Sequence, residues 1–142
     1  MSFHTLEPEV AGDLGPRTVA DTSTHPPVVS RLHYEFAGWL GDSLLESFPC
    51  YVITADLGER ARRAGLTGFT LDAVEISTTP EFEELDPAVE LPLFLWLKVD
   101  GTAGTDDFAM SEDHCLVVSD RALRLLQEAQ LEHCDVESWT GS

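Results

Sequence analysis

The chain has 142 residues, of which 43% are hydrophobic, enough for one domain with a real core and too apolar for global disorder. Its 26 acids against 8 bases leave a formal charge of −18. That balance argues against a nucleic-acid-binding surface, which needs clustered Lys and Arg, and suits either plain solubility or fast steering onto a basic partner.

Residues 1–30 hold Pro8, Pro16, Pro26 and Pro27 among scattered Gly, Ser and Thr, and are expected to form an irregular arm. The domain proper is then 31–142. It opens with "RLHYEFAG", in which Leu32, Tyr34 and Phe36 alternate with His33 and Glu35 as in a half-buried strand. "CYVIT", Cys50 to Thr54, reads as a buried strand, and Thr54 is placed to cap the helix that follows. Leu57, Ala61 and Ala64 give that helix an apolar stripe, and Gly65 stands where a helix-terminating glycine belongs. "GFTLDAVEIS" reads as one further strand.

An acidic loop follows, "TTPEFEELDPAVELP". It sets Phe82, Leu85 and Val89 among Glu81, Glu83, Glu84, Asp86 and Glu90. A charge run is usually a solvated face, but acids around apolar anchors also suit a surface that meets a basic cleft. "LFLWLKVDG" is apolar at nearly every position, as a central strand would be. "CLVVS" is another strand. Ser119 caps a second helix whose buried face is expected to be Ala122, Leu125, Leu126 and Ala129, and "HCDVESW" is the last strand. Trp39 and Trp96 are expected in or near the core, with Trp139 a core edge or a contact residue.

Asp42–Asp72 lies on Asp107–Glu137 at a constant offset of 65, with Cys50 on Cys115 and "YVIT" on "LVVS". Five of 31 positions are identical, against roughly two expected by chance. Agreement of strand, cap and helix stripe in one register adds weight. The expected fold is therefore α+β, with a mixed sheet and two helices, built from two similar ββαβ-like halves at about 31–76 and 93–139.

The second half contains "GTDDFAMSEDHC", where Asp106, Asp107, His114 and Cys115 are all metal-type ligands. A calcium loop needs further oxygen ligands at alternate positions, and Phe108, Ala109 and Met110 stand there instead. A glycine followed by aspartate also begins the matching stretch of the first half, so a structural turn is the favoured reading. Two His-Cys pairs, 114–115 and 133–134, are spaced too closely to offer both members to one zinc ion. No G-x-S-x-G, Walker loop, H-E-x-x-H or C-x-x-C is present. No metal or cofactor is expected, and neither is catalysis. A small enzyme or metal protein using Asp106, Asp107, His114 and Cys115 is the alternative, and an acidic mimic of nucleic acid is another.

No apolar run reaches the roughly 18 residues of a membrane span, and no basic-then-apolar leader is visible. Three widely spaced cysteines then read as reduced thiols in a cytoplasmic protein.

"GWLGDSLLESFPCYVIT", "LPLFLWLKVDGTAGTDDF" and "CLVVSDRALRLLQEAQLEHCDVE" resemble small α+β proteins of bacterial toxin–immunity systems, and "VVSDRALRLL" with its following strand is similar to the C-terminal part of one immunity-protein group. The resemblance spans roughly residues 31 to 137. It implies a non-catalytic inhibitor that occludes the site of a cognate basic toxin. The candidate contacts are the acids Glu81, Glu83, Glu84, Asp86, Asp106 and Asp107.

Overall fold

The computed structural model describes residues 2–85 and 87–141. In chain order its elements are β1 (Phe3–Glu7), β2 (Gly12–Leu14), β3 (Val19–Asp21), β4 (Val28–Arg31), β5 (His33–Phe36), β6 (Leu44–Ser47), β7 (Cys50–Thr54), α1 (Ala55–Arg63), β8 (Phe69–Asp72), β9 (Glu75–Thr78), α2 (Pro80–Leu85), β10 (Phe94–Val99), β11 (Phe108–Met110), β12 (Leu116–Ser119), α3 (Asp120–Glu128) and β13 (Asp135–Trp139). The fold is α+β and forms a single domain, with a third helix that the sequence reading did not anticipate.

β7 and β10 are inner strands of an antiparallel sheet ordered β6-β7-β10-β8. Because strand side chains alternate between faces, this sheet feeds two cores. Tyr51, Ile53 and Leu97 enter one, whereas Cys50, Val52, Phe94 and Trp96 enter the other. Burial on both faces is why "CYVIT" and "LFLWL" are apolar at almost every position. The first core is completed by α1, α3 and a second antiparallel sheet, β11-β12-β1-β13. The other is completed by Phe82 of α2 and by the mixed sheet β2-β5-β9, in which β5 and β9 run parallel. Each fully buried Leu or Phe in these clusters contributes about 1.5–3 kcal/mol.

Both long helices start as expected. The Thr54 Oγ1 accepts from Leu57 N, and the Ser119 Oγ accepts from Ala122 N. Gly65 takes φ +75° just past α1. The apolar faces need small corrections. Ala64 is exposed at the end of α1, and Gly58 is buried instead, packed against Ile53 and Leu71. In α3, Leu123 is buried with Ala122 and Leu126, while Leu125 and Ala129 only border the core.

The larger correction concerns the expected arm at 1–30, of which residues 2–30 are described. They do not form an irregular arm. β1 lies between β12 and β13, paired antiparallel to both, so Phe3 stands opposite Ser119 on one side and Trp139 on the other. Ser2 N and His4 Nε2 add hydrogen bonds to the Asp120 carboxylate. β2 joins β5, and β3 pairs with β4. The prolines flank these short strands instead of interrupting them, as strand edges allow. "GFTLDAVEIS" is likewise split: β8 pairs with β10, but β9 pairs with β5 in another sheet.

The predicted halves, 31–76 and 93–139, do not map onto one sheet each. At the offset of 65, α1 corresponds in number to α3 and β7 overlies β12. β5, however, belongs to the mixed sheet, and the inner strand that corresponds in position to β10 is β1.

Candidate functional site

The opening residues of "GTDDF" are a turn. Gly104 takes φ +86°, and the Asp106 carboxylate accepts from Thr102 N at 2.7 Å. Asp107 is not a surface acid at all, being only 5% exposed. Arg121 grips it with two bonds, Nε to Oδ1 at 2.8 Å and Nη2 to Oδ2 at 2.7 Å. Ser119 Oγ donates to Oδ1 at 2.6 Å, and Thr67 N donates to Oδ2 at 2.9 Å. Burial alone would raise its pKa, but these donors and the Arg121 charge outweigh it and hold the carboxyl far below the usual carboxylate range. Asp107 is thus an internal tie, and it offers no free oxygen to a partner.

Asp42 is its counterpart and is completely buried. It accepts from Glu132 N at 2.9 Å and from His133 N at 2.8 Å, with His133 Nδ1 3.1 Å away. Asp42 and Asp107 are 65 positions apart, and so are the amides of Thr67 and Glu132 that they bind. Each acid therefore ties the loop after the other's helix. Glu9 adds a third carboxylate, accepting from Leu40 N and Asp42 N. Glu9, Asp42 and His133 bring their ligand atoms within 4.8 Å of one another. Main-chain donors already engage both carboxylates, which accounts for their burial without an ion. Sequence reasoning could have found Asp42 through its alignment with Asp107; nothing local marks Glu9.

The four residues of the enzyme alternative do not converge. Asp107 sits beside Ser119 at the end of β12, whereas His114 and Cys115 precede its start. Cys115 and Ser119 are roughly 13 Å apart at the usual strand rise. The second His-Cys pair does not join the first in a ligand cluster among the described residues.

Comparison with protein-family models, curated proteins and solved structures gives no match.

Three of the remaining sequence candidates lie on the surface. Glu81, Glu83 and Glu84 are exposed on α2, and Asp86 falls outside the described residues. The expected acidic loop is in part the helix α2, whose start carries signals the sequence reading passed over: Thr79 Oγ1 accepts from Phe82 N at 3.1 Å, Pro80 occupies the first helical position, and acids fill the first turn. Of the expected apolar anchors, Phe82 turns inward, 3% exposed. Leu85 and Val89 stay outside at 76% and 40%, joined by Leu93 at 81%. Among the described residues Glu81 and Glu84 have no ion-pair partner, and Glu83 accepts only from Thr78 Oγ1.

Two of the three thiols, Cys50 and Cys134, are disfavoured as thiolates. Burial pushes Cys50 up to about 12, and burial with the nearby Asp42 charge pushes Cys134 up to about 12. Iodoacetamide at neutral pH should therefore label Cys50 and Cys134 on the order of a hundredfold more slowly in the folded protein than in urea, because the thiolate is the reactive form. Peptide mass spectrometry over a time course reads this directly. Equal rates in the two states would show that these thiols are not protected.

Proposed function

We propose that the protein is a non-catalytic acidic binding protein that docks on a basic protein partner, in the manner of an immunity protein occluding a toxin. The observation that carries this is the α2 surface. Leu85, Val89 and Leu93 are bare among Glu81, Glu83, Glu84 and Glu90, and no lysine or arginine occurs from Ala64 to Leu97. Bare leucines are a cost in a surface that meets only water; in an interface they become the desolvated centre, and the surrounding acids steer and select. The absence of a convergent nucleophile and base at the sequence's ligand-rich stretch supports a binding role over a catalytic one.

The test is affinity capture from native lysate at low and high salt, comparing the wild type with Glu83→Lys/Glu84→Lys. Both residues are exposed, so the double variant should change stability by no more than about 0.5 kcal/mol per site. The expected result is one stoichiometric basic protein, weakened by salt and lost in the variant, chiefly through slower association. A broad set of DNA-handling proteins would favour the nucleic-acid mimic instead. No partner at either salt would end the binding reading.

A further inference from the structure

Two cavities lie beside the turn between β6 and β7, one mainly apolar and one lined by apolar and acidic residues together. One, of about 290 Å³, is walled by Pro26, Pro27, Val29, Phe48, Pro49 and Met110 among others. The second, of about 530 Å³, has four acids among its lining residues, Glu7, Glu9, Glu46 and Asp135, with His114 and His133. Tyr51 and His114 line both, so the cavities adjoin; the groove is the two together. His114 takes φ +62°, a left-handed backbone that few non-glycine residues adopt, and its ring stands 6.5 Å from Phe48 and 5.8 Å from His25.

On the acidic side, Glu9 is already engaged by the Leu40 and Asp42 amides, and the basic groups in the lining are the histidines His114 and His133. No lysine or arginine is among the residues lining that cavity. Glu46 is partly buried, and burial followed by the neighbouring Glu7 charge pushes its pKa up. Such a carboxylate gains from an incoming cation. Lys98 and Trp96 both line the apolar cavity, and the Lys98 ammonium is held there, 3.2 Å from Asp72 and over the Trp96 ring. The groove also lies away from α2. It sits where Tyr51 pairs with Leu97, whereas α2 precedes the other end of β10, where Phe94 pairs with Thr54.

We propose that this groove is a second docking site, which takes from a protein partner a short segment with an arginine or lysine next to a large apolar side chain. The apolar side chain fills the proline-walled cavity, and the cation meets Glu46, Glu7 and Asp135. A protein segment fits better than a free amine or a metal ion, because either of those would leave the apolar half unfilled. Apolar and cationic anchors seated in adjacent pockets are the usual energetic centre of a protein interface. The site requires no contribution from the α2 surface.

The experiment is an NMR titration of the whole protein with acetyl-Arg-Phe-Arg amide, with acetyl-Arg-Ala-Arg amide and acetyl-Gln-Phe-Gln amide as controls. The expected result is a set of saturable shifts at the amides of Glu46, Tyr51, Met110 and His114. Both controls should bind at least tenfold more weakly. Glu46→Gln should weaken Arg-Phe-Arg at least fivefold without altering Gln-Phe-Gln, and Glu83→Lys/Glu84→Lys should change neither. Absence of shifts at millimolar peptide would overturn the proposal. So would equal binding of Arg-Ala-Arg, or a loss as large in the α2 variant as in Glu46→Gln, since either would reduce the effect to general charge attraction. Because the probe is a peptide, failure of the α2 partner reading leaves this result readable.

Discussion

Asp107→Ala should lower the unfolding free energy by about 3 kcal/mol, since it removes a buried acceptor from several donors at once. Ser119 Oγ and Thr67 N lose their partner inside the protein, and the two-bond grip of Arg121 is gone. Arg121 itself is half exposed and recovers water, so the loss stays below that of stranding a buried charge. The pH dependence carries the sign. Asp107 has a folded pKa depressed below its unfolded value near 3.9, so its stabilisation is fully present above that value and disappears as pH falls below it. Urea unfolding of the wild type should show stability falling from about pH 5 downward. Asp107→Ala should start lower and fall less steeply over the same range. A variant as stable as the wild type at neutral pH, with the same acid slope, would remove Asp107 from the account of this fold.

Asp42→Ala should cost a similar amount, about 2–4 kcal/mol, for a different reason. Among the described residues no arginine pairs with this acid; the principal loss is the fully buried acceptor for two consecutive amides, Glu132 N and His133 N. Hydrogen exchange should show these two amides losing protection selectively, together with local loosening of the loop between α3 and β13. Asp42→Asn keeps one oxygen but brings a second donor against an amide donor, and should recover less than half the loss. Protection unchanged at 132 and 133 would mean that the bonds drawn here do not hold the loop.

Local chemistry made much of this molecule legible. Thr54 and Ser119 announced their helices because a side-chain oxygen before an amphipathic run has one good use, to cap it. "CYVIT" and "LFLWL" announced buried strands because uninterrupted apolar residues need cover on both faces. The turn at Gly104 and Asp106 was also readable, and so was the pairing in sequence of Asp42 with Asp107. By contrast, "FHTLE" at the N-terminus carries no such signal. It becomes a strand because β12 and β13, more than a hundred residues away, leave a gap of strand width between them. The candidate site divides in the same way. Composition marked the acids around 81–90, but it treated Asp107 as one more of them.

By itself the sequence determined the α+β class, both long helices with their caps, the strands with apolar faces, and a strongly acidic exterior. These follow from neighbours within a few residues: periodicity, capping and charge. Only the tertiary structure decided that the first thirty residues join the sheets, that β8 and β9 part into different sheets, and that Asp107 is an internal tie while Glu83 and Glu84 face solvent. It alone brought Glu7, Glu46 and Asp135 to the lining of one cavity. The physical reason is that strand pairing and carboxylate burial depend on partners distant in sequence, and the same aspartate is solvated or sequestered according to which amides and which arginine the fold carries to it.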